Sequence, residues 1–222
     1  MSKLLKISML DFRTVKSYLL AKTILLFVAV MSLVGFTANP TMTLFLGMFF
    51  SYFYISYPFA IGEKINMDAL YRTLGISKKE LVSGRYIFAF IMLLGGTVFS
   101  LLASVAVSFI STQKINIEEN IGVTFVFLGI LMLLASTQMP FYFKYPYSKT
   151  RVITLIPLFI TSMGIPLIAR FWDKPWMFEV REFFGGVHLS RGAIIVIAVL
   201  VLACCVACSY ALSVRFYQKR EF

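Results

Sequence analysis

The sequence predicts an all-α membrane protein: six transmembrane helices, an N-terminal interfacial helix, a polar cytoplasmic loop between spans 2 and 3, and a re-entrant outside segment before span 6. Three observations carry this. Hydrophobic residues form 59% of the chain against 14% charged, and the mean hydropathy is +0.86, far from the balance of a soluble domain. Six apolar runs approach or exceed the length that crosses a hydrocarbon layer of ~30 Å. The charges lie between these runs and are shared unequally by alternate loops. The whole of 1–222 reads as one membrane domain.

Residues 1–17 form the interfacial helix. At 100° per residue Leu4, Leu5, Phe12, Val15 and Leu19 share one arc, with Lys3, Lys6, Arg13 and Lys16 on the other. A cleaved signal would need a small-residue site after its apolar region, and Gly35 to Asn39 supplies a poor one, so the segment is read as retained.

The first span, Thr23–Thr37, is short unless Tyr18 to Lys22 extends it, with Lys22 snorkelling to the interface. A tight turn at Ala38-Asn39-Pro40 leads into the second, Thr41–Ile61, which is dense in aromatic residues and bent near Pro58. Phe49, Tyr52, Phe53 and Tyr57 there are candidate linings for an apolar or amphipathic substrate; packing against lipid or other helices is the competing reading. The third span, Tyr86–Ile110, carries Gly95, Gly96, Ser100, Ala103, Ser104 and Ser108, a face on which backbones approach closely, within the chain or across a dimer. In the fourth, Ile121–Phe143, Gln138 is expected to bond between helices. The fifth, Val152–Ala169, holds Pro157, Gly164 and Pro166 and is expected to kink. In the outside segment, 171–191, Trp172, Trp176, Phe178, Phe183 and Phe184 suit the membrane interface, and His188 reads as polar surface. The sixth span, Gly192–Val214, contains Cys204, Cys205 and Cys208, read as small apolar core residues and neither a disulfide nor a metal set.

Sixteen of the 21 Lys and Arg residues fall with the N-terminus, the 63–85 loop, the 144–151 loop and the C-terminal tail; only Lys114, Arg170, Lys174, Arg181 and Arg191 fall opposite. The acidic residues divide evenly, so the formal charge of +11 belongs to one face. The positive-inside rule makes that face cytoplasmic, with both termini on it. Topology and contact with anionic membrane lipid then account for the excess, and nucleic acid is excluded as its cause.

The most polar stretch is Glu63 to Arg85. Within it Met67, Leu70, Tyr71 and Leu74 make one apolar stripe, with Asp68 and Arg72 paired at i,i+4 beside it, and Gly75 ends the helix. Ser77-Lys78-Lys79-Glu80 is a capping box, so a second short helix is expected to start at Lys78. Two short helices joined by a glycine suit a groove on another protein; a solvated loop carrying topology charges is the plainer alternative.

No Asp, Glu, Lys, Arg or His lies inside the six spans as bounded above, which removes the usual parts of ion-coupled transporters and voltage sensors. A G-x-x-x-x-G-K-[ST] loop is also absent, as are protease motifs. Uphill transport by such a chain needs energy from another subunit, and the 63–85 loop is where that subunit would push.

The run Glu63-Lys64, Leu70 to Leu74, Ile76 to Val82 and Arg85-Tyr86 resembles the first cytoplasmic loop of ABC-2-type permeases, and the six-span plan is similar throughout. The chain departs from that pattern at Gly75, where many members carry proline. The resemblance implies that Ser77, Lys78, Lys79 and Glu80 couple to cytoplasmic ATP-binding subunits, with Asp68, Tyr71, Arg72 and Leu74 beside them. It implies no catalytic residue, metal or cofactor in this chain, ATP and Mg being held by the partner ATPase. A second copy or a related permease would complete the pore. The compact chain is similar to the small permeases of the staphylococcal phenol-soluble modulin exporter, which implies export of amphipathic peptides. The alternative from another class is a non-transporting peptide-immunity or sensing subunit that uses the loop to hold a cytoplasmic partner.

Overall fold

The computed structural model describes residues 3–18, 29, 40–65, 67–73, 75–111, 117–157, 159–160, 163–164, 170 and 190–220. Helices run over Lys3–Tyr18 (α1), Pro40–Tyr54 (α2), Tyr57–Lys64 (α3), Met67–Thr73 (α4), Lys78–Ser111 (α5), Ile117–Lys144 (α6), Tyr147–Ile153 (α7) and Arg191–Lys219 (α8). Four stretches among the described residues are long and apolar enough to cross a membrane: Thr41–Lys64, Lys78–Ile110, Asn120–Lys144 and Gly192–Lys219. They coincide with spans two, three, four and six of the sequence reading. The span Thr23–Thr37 apart from Ala29, residues 158, 161–162 and 165–169 of the fifth span, the turn at Ala38 and Asn39, the Lys114 connection and the 171–189 segment with His188 lie outside the described residues.

The second span breaks where Pro58 requires it. Proline has no amide hydrogen and its ring crowds the preceding turn, so α2 stops at Tyr54 and α3 restarts at Tyr57 with Pro58 in its first turn. The two linking residues are held by tight bonds, Ile55 N–H to the Tyr52 carbonyl at 3.2 Å and Ser56 N–H to the Phe53 carbonyl at 3.3 Å.

Apolar burial drives little association between helices inside lipid, so close packing and interhelical hydrogen bonds have to do it. The most extensive contact is between α2 and α5. Gly96 makes it possible: a Cβ there would lie 1.8 Å from Ser51 Oγ and 2.3 Å from Ser51 Cβ. Ser100 and Ser104 continue the same buried face, as the small-residue pattern predicts, whereas Gly95 is exposed. Around this seam Leu44, Met48, Leu81, Val82, Leu131 and Phe143 form the core. Helix α8 packs on α6 and α5 by one face and leaves Ile194 to Ile197 and Val199 to Val201 exposed.

Two expectations are corrected, those for the helix at Lys78 and for the cysteines. The helix that starts at Lys78 is not short: nothing between Glu80 and Tyr86 breaks it, so the capping box starts the third span itself. Helix α1 buries Ile7, Ser8, Asp11 and Val15 against the protein and leaves Phe12 exposed, so of the apolar arc Val15 faces the protein and Phe12 does not. Cys204, Cys205 and Cys208 are free but exposed on α8 rather than in the core.

Candidate functional site

The 63–85 stretch is built by local chemistry. Helix α4 ends at Thr73, and Gly75 takes φ +64°, the left-handed conformation in which glycine carries no Cβ penalty. Ile76 N–H then reaches the Tyr71 carbonyl at 3.0 Å, the six-to-one bond of a Schellman stop, and Ile76 packs into the cluster that holds Tyr71. Two residues on, the capping box closes. Glu80 N–H donates to Ser77 Oγ at 3.2 Å, while the Ser77 amide and hydroxyl donate to Glu80 Oε2 at 2.9 and 2.8 Å. Its carboxylate also sits in the first turn of α5, where the helix dipole favours it.

Three fastenings tie this stretch to distant parts of the chain. Lys78 Nζ donates to the Gln218 and Arg220 carbonyls, each at 3.0 Å, and so satisfies the end of α8 with a cation where the dipole is negative. Glu63 accepts from the Ser148 amide at 3.0 Å and the Ser148 hydroxyl at 2.7 Å at the start of α7. The Tyr71 hydroxyl reaches Asp11 Oδ1 on α1 at 3.5 Å, long for a hydrogen bond.

Asp11 and Arg85 are 1% and 5% exposed, so both charges are taken out of water. Burial raises the Asp11 carboxyl to about 6, opposed by the charge of Arg85 and the Tyr71 hydroxyl. The Tyr71 hydroxyl is itself pushed up to about 12, first by burial and then by Asp11. The Arg85 guanidinium lies over the Phe59 ring at 4.2 Å and within 5.8 Å of Phe143, and one of its nitrogens would meet a Cβ on Gly62 at 3.2 Å. Asp11 Oδ2 and Arg85 Nε make no hydrogen bond. Arg85 and Glu63 line an inner cavity of about 110 Å³ with Tyr142, Tyr147 and Tyr217.

Of the sequence-selected residues, Ser77, Lys78, Glu80 and Tyr71 make the contacts above. Lys79 is exposed beside Arg215 and Gln218 on a groove of about 430 Å³. The side chains of Asp68 and Arg72, and Leu74 entirely, lie outside the described residues. Leu70 is exposed, so among the described residues the buried part of the α4 stripe is Met67 and Tyr71. Asp11 was missed as part of the site because one acid in a basic segment carries no local pattern.

Among the aromatic candidates, Tyr52 and Phe53 line a cavity of about 170 Å³ with Gln138, Tyr142 and Thr154. Gln138 spends its amide on the Thr154 carbonyl at 2.5 Å, an interhelical bond as expected. Phe49 meets Phe53 edge-on at 4.8 Å, and Tyr57 stacks on Tyr54 at 4.8 Å; neither lines that cavity.

A hydroxyl network joins the third, fourth and last spans below this level. Tyr86 pairs with Ser209 at 2.6 Å and Ser213 at 2.8 Å, and Ser83 with Tyr210 at 2.8 Å. Ser209 also donates to the Ser136 carbonyl at 2.5 Å. Pro140, four residues further along α6, has no amide to offer that carbonyl.

Neither a curated protein nor a solved structure matches the chain. A family model described as ABC-2 family transporter protein matches residues 7–218, which takes in all of α2 to α7, the greater part of α1 and all but the last residue of α8. Spanning helices, a capped polar loop fastened to both terminal helices and a family match over almost the whole length converge: the chain belongs to the ABC-2 transporter family, as a multi-pass membrane subunit.

Proposed function

We propose that the chain is the permease half of an ATP-driven exporter, and that the 63–85 loop receives the stroke of a cytoplasmic ATP-binding subunit. Membership of the family implies such a partner in general and a chain that is not itself an enzyme. The observation that carries the rest is the triple fastening. A force on this stretch is passed to α8 through Lys78, to α7 through Glu63 at the end of α3, and to α1 through Tyr71. Ser77, Lys78, Lys79 and Glu80 form the receiving turn, with Asp68, Tyr71, Arg72 and Leu74 beside it. On this reading the chain has six spans with both termini cytoplasmic in a bacterial cell membrane, and pairs with a second copy or a related permease. The substrate class is amphipathic or lipophilic peptides of the phenol-soluble modulin type, with Tyr52 and Phe53 the aromatic residues best placed to meet it.

The test is co-purification with a cytoplasmic ATP-binding subunit from the same cell, followed by turnover and peptide export in vesicles. Replacing Ser77, Lys78, Lys79 and Glu80 by Gly and Ala is expected to abolish substrate-dependent turnover. Binding and export at wild-type levels in that variant would remove the proposal.

A further inference from the structure

Helices α6 and α8 diverge on their outer side into a groove of about 510 Å³. On α6 it runs from Leu133 to Lys144 and on α8 from Cys205 to Phe216, twelve residues and eleven steps of rise in each case. At 1.5 Å per residue that is a slot ~16 Å long. It therefore matches one leaflet of a hydrocarbon core ~30 Å thick.

The walls offer an occupant almost nothing to hydrogen-bond. The Ser136 hydroxyl donates to the Met132 carbonyl at 2.8 Å, Thr137 to the Leu134 carbonyl at 2.8 Å, and Ser209 to the Ser136 carbonyl at 2.5 Å. The groove thus selects an apolar chain. One charge stands at its end: Lys144 Nζ, 5.0 Å from the ring centres of both Phe216 and Tyr145, which hold it at the mouth. Among the described residues no acidic one lines the groove to neutralise it. Lys144 also belongs to the face with the excess of basic residues, where headgroups of a negative leaflet lie.

We propose that this groove binds one anionic phospholipid, an acyl chain along the slot and its phosphate on Lys144. The site is independent of the transport reading above; it requires only that the helices sit in a bilayer.

Purified full-length protein, titrated with phosphatidylglycerol or phosphatidylcholine and weighed by native mass spectrometry, tests it. The first lipid retained is expected to favour phosphatidylglycerol about fivefold, the factor one cation near an anionic headgroup supplies. Lys144→Gln, at an exposed position, should abolish the preference and keep the fold. Cys208→Phe should fill the slot and reduce retention of both lipids, with unchanged helicity as its control. The proposal is overturned if the wild type shows no preference, or if Lys144→Gln keeps it. It is equally overturned if an amphipathic helical peptide shields Cys208 from a membrane-permeant maleimide while phosphatidylglycerol leaves it reactive.

Discussion

Ser209 gives its hydroxyl to the Ser136 carbonyl, at 2.5 Å, where Pro140 has removed the helical donor. The proline in the fourth span is thereby tolerated through a side chain of the last one. Ser209→Ala is expected to destabilise the folded chain by ~0.6 to 1.7 kcal/mol, the range for interhelical bonds in membranes. Pro140→Ala restores the missing amide, so Ser209→Ala should cost clearly less in that background. A double-mutant cycle of thermal unfolding in detergent measures the difference, and equal costs in both backgrounds would contradict the assignment.

Gly96 permits the tightest crossing described, and its partner is one residue. Gly96→Ala should destabilise by ~1 to 3 kcal/mol, as overpacking does, because the new methyl meets both Ser51 Oγ and Ser51 Cβ. Ser51→Ala removes only the first obstacle, whereas Ser51→Gly removes both, leaving Cα 3.8 Å away. Rescue by glycine and not by alanine is the expected pattern in unfolding experiments.

Docking of α1 should depend on pH through Asp11. Its carboxyl titrates near 6 when buried and near 3.8 when free, so it binds more protons docked than released. Docking is then strongest below pH ~4, weakens as pH rises through the interval to ~6, and is flat above it. Hydrogen exchange of the α1 amides, read against the intrinsic rates, checks this. Asp11→Asn should flatten the profile between those limits, and an unchanged slope would place the titration elsewhere.

Lys78 and Lys79 are neighbours with separable tasks. Lys78→Met removes two bonds to the end of α8 and should expose residues 215–220 to proteolysis. Lys79→Ala should leave that protection intact and weaken ATPase binding, because its side chain is exposed. Identical phenotypes would erase the distinction.

The parts of this architecture written in short spacings were legible. The Gly75 stop, the Ser77–Glu80 box and the break near Pro58 each depend on residues within one or two turns, so a single chain displays them. The fastenings were not legible, because they join Tyr71 to Asp11 across 60 positions, Glu63 to Ser148 across 85 and Lys78 to Gln218 across 140. The side of α1 that meets the protein was not legible for another reason: apolar periodicity marks the side that avoids water, and in a membrane protein lipid satisfies that as well as protein does. The exposed cysteines follow the same rule.

Helix α5 is unbroken for 34 residues, about 51 Å, which exceeds the ~30 Å hydrocarbon layer by several turns. Its closest crossing, at Gly96 against Ser51, divides it into arms of about 27 Å toward Lys78 and about 22 Å toward Ser111. A rigid rod pivoting there would act as a first-class lever with a near-central fulcrum. On the proposed reading, a stroke that tilts the Lys78 arm about this contact would swing the Ser111 arm the opposite way by a similar distance, so opening at one end and narrowing at the other would be a single motion of one rod.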